Sequence, residues 1–232
     1  MRPEDCESVR ALSLFRDMDA KVFEELVAAA YLQRFPAQIE LIKEGDPADF
    51  LYIMVEGCVE LFSSANGRES TMAMVRPVST FILAASIKDA PYLMSGRTTE
   101  ASKILLIPSV DVRHAFAVDE AFARAIVVEL ATCYRAVVKS MKNLKLRTSV
   151  ERVANYILRM QVRAGGDNVL ELKLGKRTLA SMLGMTPENL SRAFAALQAH
   201  GVSVDGRWIT IEDAKRLTRY AKPTRLIDDP TG

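Results

Sequence analysis

Apolar residues recur at helical spacing in two adjacent short segments of the C-terminal third. The apolar positions are Leu179, Ala180 and Leu183 in the first segment and Leu190, Phe194 and Leu197 in the second. Gly184 lies between the two segments and permits a tight turn of the backbone. Thr186 is a good N-cap, and Pro187 suits the first position of a helix. The pattern therefore predicts two helices joined by a tight turn, with both apolar faces on one core.

A hairpin pattern follows this helix pair. Residues Val202 to Val204 and Trp208 to Ile211 are strand-like, and the pair Asp205-Gly206 favours a two-residue turn between them. The sequence predicts a β-wing beside the second helix.

The polar residues at the start of the second helix suit contact with base edges. Such a helix can enter the major groove of double-stranded DNA with its first turns against the bases. An ordinary helical hairpin is the alternative, since short patterns of this kind recur by chance. The candidate DNA contacts are Lys176, Arg177, Thr178, Thr186, Glu188, Asn189, Ser191 and Arg192.

Charge is distributed unevenly along the chain. Residues 139–232 hold 17 Lys and Arg against 9 Asp and Glu, whereas residues 1–138 hold 14 against 20. A basic C-terminal part suits phosphate contact, and an acidic N-terminal part is repelled by the duplex. The charge pattern therefore favours DNA binding by the same region that contains the helix pair.

The N-terminal half is β-rich after a helix predicted from Ala20 to Tyr31. Strand-like pieces alternate with turn signals between Leu41 and Phe62, and further strands are predicted at Met72 to Val75 and Lys103 to Ile107. Asn66-Gly67 marks a hairpin between Phe62 and Met72. Short strands joined by tight turns predict a β-roll, a double-stranded jelly-roll.

A long helix is predicted from Asp119 onward. Its apolar stripe could bury against the β-roll, against the same helix of a second subunit, or against both, and we favour a homodimer. Thr148 and Glu151 form a capping box that begins the next helix. The stripe consists of Phe122, Ile126, Leu130, Cys133, Val137, Met141 and Leu144.

The predicted fold class is therefore α+β, with four parts. These are an N-terminal helix and sensory β-roll (1–118), a dimerisation helix and hinge (119–147), a winged helix-turn-helix (148–222) and a frayed polar tail (223–232).

Several functional classes are disfavoured. Cys6, Cys58 and Cys133 are scattered, which argues against a disulfide framework or a local metal cluster, and we expect the last two to be core residues. No apolar run approaches ~18 residues, so no membrane span or membrane partner is expected. The charged N-terminus is unlike a secretory signal, which predicts a cytoplasmic protein. No convergent catalytic set is apparent, so we expect no enzyme.

Two segments resemble the CRP/FNR family of transcription regulators. EGDPADFLYIMVEGCVELF (44–62) resembles the paired-glycine signature of the family's β-roll, and GMTPENLSRAFAAL (184–197) resembles its recognition-helix region. The resemblance covers nearly the whole chain. It implies a DNA-binding regulator that works with RNA polymerase, and it leaves activator and repressor as alternatives.

The resemblance also locates a degenerate effector pocket, formed by Phe81, Ile82, Leu83, Tyr92 and Leu93. The family's cyclic-nucleotide site has Gly-Glu where this chain has Ile82-Leu83, and Arg-Ser or Arg-Thr where it has Tyr92-Leu93. Arg97 is displaced by five residues from the arginine position. A buried cyclic phosphate would lack its compensating charge, so cyclic AMP is not the expected effector.

Other effectors stay open at this stage. No cofactor is predicted, although haem is an alternative, with His114 as a structural residue at a helix start or, less favoured, an axial ligand. His200 is expected at the end of the recognition helix. A sensor of an apolar ligand and a regulatory cyclic-nucleotide-binding module are the remaining alternatives, and the latter would not explain the winged helix.

The spacing of Glu188, Ser191 and Arg192 resembles the Glu-x-x-Ser-Arg pattern of the FNR-like branch, which reads TTGAT-like half-sites. Arginine can contact guanine with two hydrogen bonds, and glutamate can accept one from cytosine. The resemblance therefore implies a homodimer on a palindrome of two TTGAY-like half-sites.

Overall fold

The computed structural model describes residues 3–229, and these residues form two compact units. The first unit ends at Thr132 and the second begins at Cys133. The helices are α1 (Pro3–Arg10), α2 (Ala20–Ala28), α3 (Leu83–Lys88), α4 (Ser109–Val118), α5 (Glu120–Leu146), α6 (Ser149–Arg163), α7 (Lys176–Met182), α8 (Pro187–Gln198), α9 (Ala214–Ala221) and α10 (Arg225–Asp228). The strands are β1 (Tyr31–Phe35), β2 (Glu40–Ile42), β3 (Phe50–Glu56), β4 (Val59–Ala65), β5 (Arg68–Val75), β6 (Ser79–Phe81), β7 (Ser95–Thr98), β8 (Ser102–Pro108), β9 (Val169–Glu171), β10 (Val202–Asp205) and β11 (Trp208–Ile211).

Two four-stranded antiparallel sheets form the first unit. Their strand orders are β1-β8-β3-β6 and β2-β7-β4-β5. The interior between them is apolar and includes Met54, Val59, Leu61 and Ile104. A second core lies between the first sheet and the helices, where Phe15 stacks on Phe122 with ring centroids 5.7 Å apart. The predicted β-roll is confirmed.

Helix α5 runs unbroken from Glu120 to Leu146, but its first turns are not exposed. Phe122 and Ile126 are fully buried in the helix-facing core of the first unit, and Leu130 packs partly against the same core. The expectation that Phe122 and Ile126 contact a second subunit is therefore wrong, because tertiary packing within the unit already covers them. The other four stripe residues, Cys133, Val137, Met141 and Leu144, are exposed.

The second unit surrounds a core that joins α6, α7, α8 and α9 to a three-stranded sheet of order β10-β11-β9. The capping box is confirmed: Thr148 Oγ1 accepts from the Glu151 amide at 3.3 Å, and the Glu151 carboxylate accepts from the Thr148 amide at 2.8 Å. The bond from the Thr148 amide to the Glu151 carboxylate, and a second from the Thr148 hydroxyl at 2.9 Å, lower the pKa of Glu151. The predicted hairpin is also confirmed, with Asp205 paired with Trp208.

Three local expectations need correction, and a fourth holds. Helix α2 ends at Ala28, and Tyr31 begins β1 because it pairs with Leu106 of β8. Cys133 is exposed rather than in the core, since residues 3–229 leave its face of α5 open to solvent. His114 lies in the middle of α4, exposed, and not at a helix start. Cys58 is buried, as expected.

The C-terminal segment up to Asp229 is not frayed. Residues Arg225–Asp228 form α10. Asp228 pairs with Arg147 and Arg159, which are 81 and 69 residues away in the sequence. None of the helices within residues 3–229 is long and apolar enough to cross a membrane.

Candidate DNA-binding surface and effector pocket

The turn between α7 and α8 depends on Gly184. Its φ of +64° lies in the left-handed region, which favours glycine. A Cβ at this position would also come within 2.5 Å of Leu144 Cδ2. The backbone conformation therefore favours glycine at this turn, and an added Cβ would also have to displace the end of the exposed Leu144 side chain.

Arg152 of α6 holds this turn in place. Its Nε donates to Leu183 O at 2.8 Å, and its Nη2 donates to Gly184 O at 3.2 Å. Burial lowers the pKa of Arg152. Sequence reasoning missed this residue, because a lone arginine within an amphipathic helix carries no signal for a contact 31 residues away.

Helix α8 begins as predicted. Thr186 Oγ1 accepts from the Asn189 amide at 3.2 Å, and Pro187 occupies the first turn. Leu190 and its apolar helical neighbours form the buried face of α8, so the opposite face points to solvent. The first turns of α8 therefore present their polar side chains outward on a rigid element.

Four side chains occupy this outward face. Glu188, Ser191 and Arg192 are exposed, and Asn189 is half-buried. Arg192 Nη2 donates to Asn189 Oδ1 at 2.5 Å, and the Ser191 hydroxyl donates to Pro187 O at 3.0 Å. The pKa of Glu188 is lowered, first by a hydrogen bond from the Thr186 hydroxyl, then by one from the backbone amide of Glu188 itself and by the charge of Arg192. The face combines a guanidinium with an ionised carboxylate, which are a strong donor and a strong acceptor.

The start of α7 adds positive charge in the same unit. Lys176 and Arg177 are exposed in its first turn, and Thr178 is half-buried. These positions suit contact with phosphates rather than with bases.

The wing carries a residue that sequence reasoning did not single out. Trp208 begins β11 next to the hairpin turn and is 48% exposed. Its neighbour Arg207 pairs with Glu171 of β9 at 3.2 Å. A large exposed aromatic residue on a hairpin could have been recognised from the strand alternation, which places Ile209 and Ile211 on the inward face and Trp208 on the outward face.

The interior of the β-roll is closed by aromatic side chains. Tyr92 is 5% exposed, and Tyr52 stacks on Phe81 with ring centroids 5.2 Å apart. The Tyr52 hydroxyl donates to Leu41 O at 3.4 Å, and burial raises the pKa of both the Tyr52 and the Tyr92 phenol. Both phenols are therefore neutral at physiological pH and offer no positive charge to an anion.

Arg97 is already engaged by two carboxylates. Its Nη2 lies 2.8 Å from Glu60 and 2.5 Å from Glu69, and its guanidinium stacks on Phe62 at 4.3 Å. The hydrogen bonds that Arg97 donates to the Glu69 carboxylate, in particular, raise the pKa of Arg97. The two carboxylates balance the charge of Arg97. This arginine therefore does not replace the phosphate-binding arginine that the roll interior lacks.

Comparison with known proteins agrees with this geometry. Residues 32–119 match the family model described as cyclic nucleotide-binding domain, and residues 151–220 match the Crp-like helix-turn-helix domain. The chain belongs to the CRP/FNR family of transcription regulators. A relative from Mycobacterium tuberculosis, a CRP-like cAMP-activated global transcriptional regulator, is 22% identical and covers 93% of this chain and 99% of its own.

Solved structures of CRP/FNR proteins share the fold. FixK2 from Bradyrhizobium japonicum is 24% identical, with a TM-score of 0.69 over 82% of this chain and 96% of its own. A CooA mutant from Carboxydothermus hydrogenoformans is 17% identical, with a TM-score of 0.72 over 85% and 90% of the two chains. In this CRP/FNR protein, α7 and α8 are the DNA-binding helix pair and the β-roll is the cyclic-nucleotide-binding-type domain.

The five residues predicted to form the effector pocket do not lie together in the structure of this CRP/FNR protein. Phe81, Ile82 and Tyr92 belong to the roll interior, whereas Leu83 is buried in the helix-facing core. Leu93 is 81% exposed, so its assignment to the pocket is wrong: it lies in the bend between Tyr92 and the start of β7 at Ser95, outside the roll interior. Ile82 adopts φ +66° where the family has glycine, a strained conformation for a β-branched residue.

The two histidines occupy unrelated surroundings. His114 is exposed on α4, and His200 stacks on Tyr220 with centroids 3.9 Å apart. Within residues 3–229, no group of three or more His, Cys, Asp or Glu side chains could hold a metal ion. Neither histidine lines the roll interior.

Proposed function

We propose that this regulator binds, as a homodimer, a palindrome of two TTGAY-like half-sites and controls transcription without a cyclic nucleotide. The observation that carries the proposal is the polar start of α8, where Glu188, Ser191 and Arg192 are exposed together on a helix whose other face is buried. RNA polymerase is included as a partner on the family resemblance alone.

Arg192 is the proposed reader of guanine. A guanidinium has five N–H donors, so one hydrogen bond to Asn189 leaves a pair for guanine O6 and N7. Because the pKa of Glu188 is lowered, its carboxylate is ionised and can accept from the cytosine N4 amine. The Ser191 hydroxyl would leave Pro187 O to donate to thymine O4. These three roles match bases of a TTGAY half-site and its complement.

Lys176 and Arg177 are proposed to bind phosphates. Both are exposed at the start of α7 and carry charge without a fixed side-chain geometry. Phosphate contacts set the position of the protein on the duplex but carry no sequence information directly. They should contribute affinity that falls steeply with salt concentration.

The homodimer is proposed to form along the exposed side of α5. Val127, Ala131, Tyr134, Val138 and Met141 follow one another at spacings of four and three residues, which is the a/d spacing of a coiled-coil seam. Tyr134 is 70% exposed and Met141 is 51% exposed. The stripe predicted from sequence is thus shifted toward residues that the β-roll does not cover, while Cys133, Val137 and Leu144 flank the seam.

Independence from cyclic nucleotides is supported by the roll interior. A buried phosphate needs a cation and hydrogen-bond donors in a low-dielectric site. Leu83 and Tyr92 stand at the family's glutamate and arginine positions, and Arg97 is bound by Glu60 and Glu69. A cyclic nucleotide would therefore have to displace Tyr92 and break two ion pairs.

A matched pair of arginine variants tests the proposal. Arg192→Ala should weaken binding to a TTGAY palindrome by about 1–3 kcal/mol and relax selectivity at the G·C pair. Arg177→Ala should weaken binding to specific and scrambled duplexes alike and reduce the salt dependence. Fluorescence anisotropy with both duplexes at two salt concentrations measures both effects. Uniform loss in Arg192→Ala would refute base reading and leave a phosphate contact.

A further inference from the structure

The part of α5 that belongs to the C-terminal unit is held by polar contacts rather than by a core. None of its residues from 133 to 146 is buried, whereas α6, α7, α8 and α9 share the core of this unit. The proposed seam residues Tyr134, Val138 and Met141 lie on this exposed stretch. Because no buried apolar residue fixes the stretch within residues 133–229, its orientation toward α8 depends on the contacts near its end.

Arg152, near the start of α6, contacts that end directly. Its Nη1 donates to Arg147 O at 2.8 Å and, more weakly, to Leu144 O at 3.5 Å. The same guanidinium donates from Nε to Leu183 O at 2.8 Å and from Nη2 to Gly184 O at 3.2 Å. One side chain therefore joins the end of α5 to the turn that precedes α8.

The chemistry of the four carbonyls requires a branched donor. The last C=O groups of a helix have no partner within the helix, and α5 and α7 end at Leu146 and Met182. A positive charge near these ends is also favoured by the helix dipoles. Arginine has five N–H donors in a planar fork, whereas lysine carries its donors on one nitrogen atom. The fork of Arg152 can therefore reach both helix ends at once.

Side-chain packing places the same two segments against each other. A Cβ built on Gly184 would lie 2.5 Å from Cδ2 of Leu144, so the turn contacts the last part of α5. Thr186, the N-cap of α8, follows only two residues after Gly184. A shift of α5 relative to this turn therefore changes the position of the proposed base-reading residues relative to the seam.

A second tie connects α5 to α6 through the C-terminal segment. Asp228 accepts from Arg147 of α5 at 2.8 and 2.5 Å, and from Arg159 of α6 at 3.0 Å. Lys139 Nζ donates to Asp229 O at 2.9 Å. A helix end that is held at two places cannot pivot. Without the contacts of Arg152, the end of α5 could turn about the tie to Asp228.

We propose that Arg152 is a positioning residue that sets the separation of the two α8 helices in the dimer, and with it the half-site spacing that the protein accepts. This inference rests on the proposed homodimer. Arg152 holds the end of the helix that carries the seam against the turn before α8, so each α8 keeps one distance from the two-fold axis. One base pair changes the separation of two half-sites by about 3.4 Å and rotates them by about 35°. A dimer that is rigid at this joint cannot follow such a change.

Duplexes that differ only in half-site spacing test this role by fluorescence anisotropy. They contain the half-site that the wild-type protein selects from random duplexes, at the selected spacing and with one base pair inserted or removed at the centre. Wild type should bind the selected spacing at least about tenfold more tightly, since the altered duplexes allow only one half-site to be engaged. Arg152→Met should reduce this ratio to below about threefold, because the loosened dimer reaches both half-sites in each duplex.

Base discrimination and a core variant separate positioning from stability. Arg152→Met should still discriminate, as wild type does, against a palindrome in which the G·C pair of each half-site is replaced. Ile157→Val removes one methylene group from the fully buried core of the same unit and should leave the spacing ratio unchanged. Arg152→Lys is a milder variant that should also relax the spacing ratio, because one ammonium group cannot span both helix ends.

The outcomes distinguish this inference from the proposed function. A folded Arg152 variant that is as selective for spacing as wild type would overturn the inference, and so would an equal loss of spacing selectivity in Ile157→Val. Unfolding of both Arg152 variants would assign the residue a structural role instead. A wild type that is indifferent to spacing would refute the inference together with the dimer, whereas selection of a half-site unlike TTGAY would refute only the proposed base reading.

Discussion

Replacing Gly184 by alanine should destabilise the C-terminal unit through two separable effects. A residue other than glycine at φ +64° costs about 1–2 kcal/mol. The new Cβ would lie 2.5 Å from Cδ2 of Leu144, whose side chain is 44% exposed, and moving that side chain off its rotamer costs about 0.5–1.5 kcal/mol. We therefore expect Gly184→Ala to lower the free energy of unfolding by about 1.5–3.5 kcal/mol.

Gly206 provides a matched control. Its φ of +59° is close to that of Gly184, but a Cβ there would meet no atom within 4 Å. Gly206→Ala should therefore lose only the conformational part, about 1–2 kcal/mol. Urea unfolding followed by tryptophan fluorescence measures both variants, because Trp208 is the single tryptophan of the chain and reports on the C-terminal unit.

The overlap can be tested independently of the backbone. Leu144→Ala should recover the steric part in the Gly184→Ala background, giving a favourable coupling energy in a double-mutant cycle. Equal losses in Gly184→Ala and Gly206→Ala, with no coupling to Leu144, would refute the argument that the turn packs against α5.

Three further predictions concern the tail, the dimer and the effector. Asp228→Asn should cost about 1.5–3 kcal/mol at neutral pH, since it removes charged hydrogen bonds to Arg147. Burial opposes ionisation of Asp228, but Arg147 and Thr224 outweigh it and lower its pKa. The stabilisation by ionised Asp228 is therefore complete above about pH 4 and is lost as the pH falls through the folded-state pKa. Chemical unfolding at neutral and at acidic pH should show that the difference in free energy of unfolding between wild type and Asp228→Asn shrinks in acid. Tyr134→Glu should yield a folded monomer in analytical ultracentrifugation, whereas Ile126→Glu should unfold the first unit; a wild-type monomer at micromolar concentration would contradict the dimer. Calorimetry should detect no micromolar binding of cyclic AMP or cyclic GMP, and DNA affinity that depends on either nucleotide would show that the roll interior can open.

Local signals predicted the DNA-binding unit well. Thr148 with Glu151 and Thr186 with Asn189 act within one helical turn, so the sequence contains the whole interaction. The residue types at Gly184 and at the Asp205-Gly206 pair likewise favour the turn conformations that these positions adopt. The resemblance to a known family then supplied the arrangement of the β-roll, which strand alternation alone does not determine.

Long-range packing accounts for what the sequence did not predict. Ile126 fits a dimer stripe by spacing, but its burial depends on residues such as Phe15 from the start of the chain. The tail appears polar, yet Asp228 pairs with Arg147 across 81 residues. Arg97 likewise lies between Glu60 and Glu69, contacts that depend on the pairing of three strands. Helical spacing identifies an apolar face but not which partner covers it.

The most direct test of the account is selection of binding sites from random duplexes with the wild-type protein in the absence of any nucleotide. We expect enrichment of a palindrome of two TTGAY-like half-sites about one helical turn apart, because the two copies of α8 in a dimer would enter successive major grooves. The G·C pair of each half-site should be the most constrained position, since Arg192 and Glu188 both read it. Enrichment of an unrelated motif, of a single unpaired half-site, or of no sequence without added cyclic nucleotide would contradict the account.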